Sequence, residues 1–324
     1  MQTTTELAEV VKFRFDANVQ ASDGDAGRLA SVVADAGQRC VLAVGVKVGL
    51  FMGVTYYVGA ENVIAGTEDA LTLAIPLEEI KKSPRAIPSG ALLSGSTTIT
   101  SGGKSLGRLT QVTVTEREYA LQTIVVDRGV RGERLIQSAR VIGVSTKQIQ
   151  VDLGATAPDR LTPFRSDHDL YDEVYQTLFD FGPLRIDLPG MTIRVVDGAV
   201  WLYGHVSSDL NQRLATDLLE ELTGVASIHN QLTTDTDLAA RVSQALAADA
   251  RTGGEMIGVY PMLGEVRLRG GVRTAEARAA AGEIVAHTPG VKSVTNDLHV
   301  DPNARVVPVM AGVTNEEDIV PGGA

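Results

Sequence analysis

The chain reads as two duplicated folds in series, two small all-β bodies followed by two α+β modules, and three observations predict this. The first half repeats itself about 80 residues apart, with Asp25-Ala-Gly-Arg-Leu29 answered by Ser105-Leu-Gly-Arg-Leu109. The second half repeats without a gap at a constant offset of 66, from Gly198–Leu232 to Gly264–Leu298. Texture and charge change together between them: residues 1–160 carry 17 basic and 17 acidic side chains, whereas residues 161–324 carry 12 and 23. Of the 324 residues, 44% are hydrophobic and 21% charged, an ordinary globular balance that excludes wholesale disorder and fibrous repeats.

The elements of the first half follow in order. Met1 to Glu9 has neither a basic region nor an apolar run, so a cytoplasmic placement, with peripheral membrane contact allowed, is expected. Asp23-Gly-Asp25 is a turn pair, and Gly27-Arg-Leu29 opens a strand continued by Val32 and Val33. Val41 to Val58 is long enough to span a bilayer. Lys47 near its middle would cost about 2.5–3.5 kcal/mol there, and the β-branched and glycine content suits strands. The pairs Val63-Ile-Ala-Gly-Thr67 and Leu71-Thr-Leu73 close the copy. The second copy runs Gly102-Gly-Lys104, Gly107-Arg-Leu109, Val112/Val114, Val141-Ile-Gly-Val-Ser145 and Ile149-Gln-Val151. Short strands of this kind must close or stack to hide their edges.

A turn, then Gly-Arg-Leu and a Val-rich strand, then a second apolar pair, resembles the PRC-barrel family. The resemblance implies two small all-β barrels, at 10–82 and 86–156, with Gly27 and Gly107 as hallmark glycines. Thr55 stands where the pattern leads one to expect proline. Residues 157–167 are expected to be a linker, since Gly154 to Ser166 holds two prolines among small and polar residues.

The second half spells helix, strand, strand, helix, strand twice. Leu170, Val174 and Leu178 line one helix face and are answered by Leu238, Val242 and Leu246. Asp169 and Asp237 are the expected caps of these helices. Gly198 and Gly264 reverse the chain between two strands, and Val200/Leu202 and Val266/Leu268 alternate toward the core. Gly204 and Gly270 end the alternation. The second helices, about Asn211–Leu222 and Ala277–His287, are expected to stop at Gly224 and Gly290 as left-handed caps. In the second copy Tyr260-Pro-Met-Leu263 replaces Arg194-Val-Val-Asp197, and Pro261 marks that strand as an edge.

Apolar-x-Gly-x-Val-x-Leu-x-Gly-x-Val, a helix, then Gly-Val-x-x-Val-x-Asn-x-Leu resembles the BON domain. The resemblance implies two modules, at 168–236 and 237–301, and a role in contacting phospholipid or mediating attachment. Residues 302–324, with prolines, glycines and Glu316-Glu-Asp318, read as a flexible tail.

The candidate chemistry is thin. Gly103-Lys-Ser105 lacks the first glycine of a phosphate loop and is followed by a strand, so it reads as a hairpin turn. Asp23-Gly-Asp25 lacks the closing carboxylate of a calcium loop. His168, His205, His229, His287 and His299 show no metal-binding spacing, and Cys40 alone forms neither a disulfide nor a zinc cluster. No catalytic, cofactor or metal residue is assigned. Trp201 should point away from the face that Val200 and Leu202 bury, together with Tyr203, as either a covered aromatic or an exposed anchor. The matching positions are Arg267 and Arg269, so the equivalent surface turns from aromatic to cationic.

The resulting expectation is a non-enzymatic adaptor or scaffold. In it a β-barrel docking body carries modules that attach to a membrane-proximal or protein partner through Trp201, Tyr203, Arg267 and Arg269. No cofactor is expected, and a homo-oligomer is allowed. A net charge of −11 and 4% aromatics argue against nucleic acid as partner. The alternative is a small-ligand or ion sensor using a cleft between repeats, with Asp167, Asp169 and Asp172 as ligands.

Overall fold

The computed structural model describes residues 9–49, 53–304 and 310–311, with the side chains of 310–311 left aside. The chain divides into two compact units, one ending at Ser166 and the other beginning at Asp167.

The first unit holds seven strands from each copy. Copy one supplies β1 (Val10–Arg14), β2 (Asn18–Ala21), β3 (Gly24–Ala34), β4 (Val41–Val48), β5 (Val54–Gly59), β6 (Val63–Gly66) and β7 (Ala70–Leu73), then a helical turn, α1 (Leu77–Ile80). Copy two supplies β8 (Ala91–Ser94), β9 (Thr98–Ser101), β10 (Lys104–Thr115), β11 (Leu121–Asp127), β12 (Glu133–Gln137), β13 (Val141–Ser145) and β14 (Gln148–Val151). The two sheets have the same order, β5-β4-β3-β2-β7-β6 and β12-β11-β10-β9-β14-β13. The expected hairpin turns lie between β2 and β3 and between β9 and β10. Val41 to Val58 forms the antiparallel pair β4–β5, its residues 50–52 lying outside the described ones. No helix among the described residues is long and apolar enough to cross a membrane.

Each copy lends its first strand to the other. β1 pairs antiparallel with β10, Val10 opposite Thr115 and Phe13 opposite Val112, while β8 pairs antiparallel with β3, Ala91 opposite Ala34. The crossing is approximately two-fold. Cys40 bridges Ala120, Val41 N–H donates to Tyr119 O at 2.9 Å, and Leu121 N–H donates to Arg39 O at 2.9 Å. Arg39 and Tyr119 share a left-handed backbone, φ 54° and 49°. Lys12 Nζ on β1 reaches back to Glu68 at 2.7 Å, and Arg14 pairs with Glu133 beyond β11 at 3.0 Å. One continuous core results, with Phe13, Leu29 and Leu71 packed in the same cluster as Leu109, Ile124 and Ile149.

Gly27 and Gly107 sit where the next strand crosses too closely for a side chain. A Cβ at either would overlap a carbonyl oxygen, that of Lys47 or of Asp127, and both have positive φ. Residues 157–166 pack on the sheet of copy two instead of hanging free. Leu161 is buried, Leu135 N–H donates to Thr162 O at 2.9 Å, and Arg128 pairs with Asp159 at 2.7 Å.

The second unit comprises two modules. The first contains α2 (Asp167–Asp180), α3 (Gly182–Asp187), β15 (Met191–Val196), β16 (Ala199–Val206), α4 (Asp209–Glu220) and β17 (Ser227–Thr234). The second contains α5 (Asp235–Ala248), β18 (Met256–Met262), β19 (Glu265–Val272), α6 (Ala275–Ala286) and β20 (Ser293–Val300), joined by β21 (Met310–Ala311). In each, an antiparallel pair is extended by a parallel strand, giving the orders β15-β16-β17 and β20-β19-β18-β21. Helix and strand faces meet as the periodicity predicts. Leu170, Val174, Leu178, Val200 and Leu202 are buried in one core, and Leu238, Val242, Leu246, Val266 and Leu268 in the other.

Local geometry corrects four expectations. The first module has an additional short helix, α3, between α2 and β15. The helices begin earlier than Asp169 and Asp237: α2 starts at Asp167, and the cap of α5 is Thr234, whose side chain accepts from Asp237 N–H. Gly224 and Gly290 are not the caps of α4 and α6, since Glu221 and His287 hold those positions in right-handed conformation. The glycines turn left-handed three residues later, φ 102° and 95°, to feed the next strand. Asp197-Gly198 and Leu263-Gly264 form turns with positive φ at both residues, the hairpin geometry expected at these positions. Gly204 and Gly270 lie too close to the neighbouring strand for a Cβ. β21 adds in parallel to β18 at Gly258 and Val259, so β18 lies between β19 and β21 and is not the edge that Pro261 led one to expect. The rest of the expected tail, 305–309 and 312–324, lies outside the described residues.

The modules join without a linker, Thr234 ending β17 as Asp235 begins α5. Buried His205 of the first module bonds through Nε2 to Gly290 O of the second at 2.6 Å. A carbonyl accepts only, so Nε2 carries the proton, and Nδ1 has no partner among the described residues. Lys292 Nζ donates to Gly190 O at 3.4 Å and Leu263 N–H to Asp235 Oδ2 at 3.2 Å.

Burial holds the His205 imidazole below its ordinary value of 6.5; Lys292 and Arg241 add to this and the Gly290 bond opposes it. The unfolded chain therefore takes up the proton first. Stability falls as pH drops through about 6.5 and levels off below the folded-state value. Burial pushes the Asp235 carboxyl the other way, above 3.8, with the Asp187 charge contributing. There the folded state binds the proton first, so acidification in that lower window favours folding. Urea unfolding of the full chain is expected to give a lower midpoint at pH 5.5 than at pH 7.5. His205→Gln, which keeps a donor and does not titrate, is expected to flatten that difference.

Candidate interaction faces

Each module sheet packs helices on one face, and the candidate residues lie on the opposite face. On the first, Trp201 and Tyr203 of β16 face outward and His229 of β17 lies beside Trp201 in parallel register. The Trp201 and His229 rings stack at 3.8 Å and 14°, and Tyr203 continues the stack with its centroid 6.2 Å from that of Trp201. Ser227 Oγ holds His229 Nε2 at 3.2 Å. Trp201 is only 6% exposed, so it is a covered aromatic and the open-anchor alternative is corrected. Alternation fixes the side of the sheet a ring occupies but not whether that side stays wet. Its Nε1 has no hydrogen-bond partner among the described residues. Tyr203 is half-buried.

On the second module the face carries two arginines in place of the aromatics, alongside Glu265 and Asp297. The Arg267 side chain is 50% exposed and meets Asp297 at 3.4 Å, and the Arg269 guanidinium lies 5.8 Å from the centre of the Tyr260 ring. Gly258 makes this possible, because a Cβ there would press on the Tyr260 ring from 2.8 Å. Two arginines, one tyrosine and two carboxylates, Glu265 and Asp297, thus share a face on which the first module places Trp201, Tyr203, His229 and Arg194.

The three carboxylates considered as ligands belong to the start of α2. Asp167 Oδ1 accepts from Asp197 N–H at 2.7 Å, Asp169 lies in the first turn, and Asp172 faces His168 at 3.7 Å. The first two complement the positive end of the helix dipole.

A further feature went unread in the sequence. Tyr171, Tyr175 and Phe179 form an exposed ladder on α2, with centroids 6.4 and 6.3 Å apart and near-parallel rings. Its signal was present as i, i+4, i+8 spacing, one residue beyond the core positions Leu170, Val174 and Leu178.

The family model of the BON domain matches residues 183–235 and 234–302. Among solved structures, the chain is similar to the C-terminal domain of CdsD, titled the structural protein of the type III secretion system of Chlamydia trachomatis. The TM-score is 0.35 at 14% identity, over 43% of this chain and 68% of that one. A second CdsD structure matches at a TM-score of 0.23 and 12% identity, over 48% of this chain and all of that one, 100%. No curated protein matches.

Proposed function

We propose that this chain, whose C-terminal half carries tandem BON domains, is a non-enzymatic adaptor. The all-β unit, read as two PRC-barrel-like domains at 10–82 and 86–156, is its docking body. The BON modules, at 168–236 and 237–301, attach it to a protein or membrane-surface partner. The observation that carries this reading is the divergence of two duplicated sheet faces on an unchanged scaffold. The paired cores keep the same apolar types at the same positions, while Trp201 and Tyr203 become Arg267 and Arg269. Packing holds the cores alike and also covers Trp201 in the first module, whereas Arg267 and Arg269 are not needed by a core and leave guanidinium groups where a partner can reach them. Arg267 and Arg269 with Tyr260 are the contact face, suited to an anionic partner; Trp201 stiffens the first module and Tyr203 borders it.

The test is photo-crosslinking from position 267 of the full chain in its native extract, together with flotation on phosphatidylglycerol vesicles at low salt. A discrete cross-linked protein, or flotation lost in Arg267→Glu/Arg269→Glu, is the expected result. A net charge of −11 repels an anionic bilayer unless this face dominates locally, so flotation would fall steeply with salt. Tight stoichiometric heat on titration with divalent cations or nucleotides would instead favour the sensor reading and sink the adaptor.

A further inference from the structure

We propose that the outer face of α2 is a docking site for an arginine- or lysine-rich segment of a partner protein, whose cations sit over the rings of Tyr171 and Tyr175 beside exposed carboxylates. The site lies on a helix and not on the sheet faces, and it stands whether or not those faces bind anything.

The three rings do no work for the core. Leu170, Val174 and Leu178 fill it and are fully buried, whereas Tyr171, Tyr175 and Phe179 remain 38%, 43% and 39% exposed. Nor does the fold demand them. The equivalent positions on α5, next to the same core stripe, are Ala239, Ser243 and Ala247, and that module closes its core without a ring there. A row of aromatics confined to one copy and left partly in water is the signature of a surface kept for contact.

The chemistry of the row selects the occupant. The rings lie near-parallel, at 21° and 14°, and the electron-rich faces of tyrosine and phenylalanine attract cations. One end already shows this, where the Arg185 guanidinium from α3 lies 5.6 Å from the Phe179 centroid. Among the described residues no cation lies over Tyr171 or Tyr175, which remain 38% and 43% exposed. The formal charge carried by α2 itself has a single sign. Asp167, Asp169, Asp172, Glu173 and Asp180 lie on α2, which contains neither lysine nor arginine. Asp172 and Asp180 are exposed beside the ladder, facing His168 and Gln176. Acidic flanks attract a basic segment and repel an anionic bilayer, and guanidinium groups gain from both rings and carboxylates at once.

The probe is a labelled synthetic peptide of Arg-Gly repeats, with Lys-Gly and Glu-Gly peptides for comparison, titrated into the full chain at physiological salt. Saturable binding in the order Arg, Lys, Glu is expected, with amide shift changes centred on α2. Tyr171→Leu/Tyr175→Leu keeps the apolar bulk and removes the rings, and should weaken Arg-Gly binding by about tenfold with unchanged circular dichroism and Trp201 fluorescence. Asp172→Asn should give a smaller loss that fades with salt. Arg267→Ala/Arg269→Ala should leave this binding unchanged, which separates failure here from failure of the sheet-face reading. Three results would overturn the proposal: affinity indifferent to the leucine pair, a sedimenting dimer that the leucine pair dissolves, or vesicle flotation that the same pair abolishes. The first would mean bulk charge alone, the second a second copy of this chain, the third a lipid surface.

Discussion

Phe13→Ala is expected to destabilise the whole all-β unit by about 3–5 kcal/mol. The side chain is fully buried on β1, opposite Val112 in the sheet of the other copy. Its loss removes a large apolar volume from a cluster drawn from both copies. Because that cluster is continuous, the damage should not stay with the copy that contains residue 13. Urea unfolding followed by circular dichroism should show one transition for this unit, displaced as a whole. Two transitions, with only one moved by the substitution, would mean that the exchanged strands are ornaments and that each copy is stable by itself. The same logic expects residues 86–156 produced alone to expose the β1-facing edge of β10 from Gln111 to Thr115, its other edge still paired with β11, and to associate through it.

Leu202→Ala and Leu268→Ala should each cost about 2–5 kcal/mol. Both side chains are fully buried at the centre of their modules, one in the core with Leu170 and Leu219, the other with Leu238 and Val285. The two cores are separate clusters, so each substitution should lower the transition of its own module first. Coupling to the other would come through the junction at His205, Gly290 and Asp235. Trp201 reports on the first module by fluorescence, and amide exchange on β19 reports on the second. Losses below about 1 kcal/mol at both positions would invert the assigned faces.

Much of the fold was legible because it was written twice. Gly198 with Gly264, and Gly204 with Gly270, recur where a left-handed turn or a close strand leaves no room for a side chain, and a residue chosen for that reason keeps its place in a copy. The helix stripes and the strand alternation were equally readable, since 3.6- and two-residue periods are local properties of the chain. The candidate faces were legible only in part. Arg267 and Arg269 project outward as alternation requires, but Trp201, on the matching side, is covered. The α2 ladder was passed over because it runs beside a core stripe of identical spacing, and spacing alone does not say which of two adjacent stripes meets the sheet.

By itself the sequence determined the number of copies, the turns and the buried side of each element, because these depend on residues a few positions apart. Which partner each first strand takes was decided only in three dimensions. β1 and β8 are duplicates facing duplicate strands, so pairing within a copy and pairing across copies satisfy nearly the same backbone bonds and side-chain contacts. Nothing local separates the two arrangements; the route of the connecting chain and the shared core do. Tertiary packing likewise decided which outward aromatics stay wet, a property of what lies against a surface and not of the residues that form it.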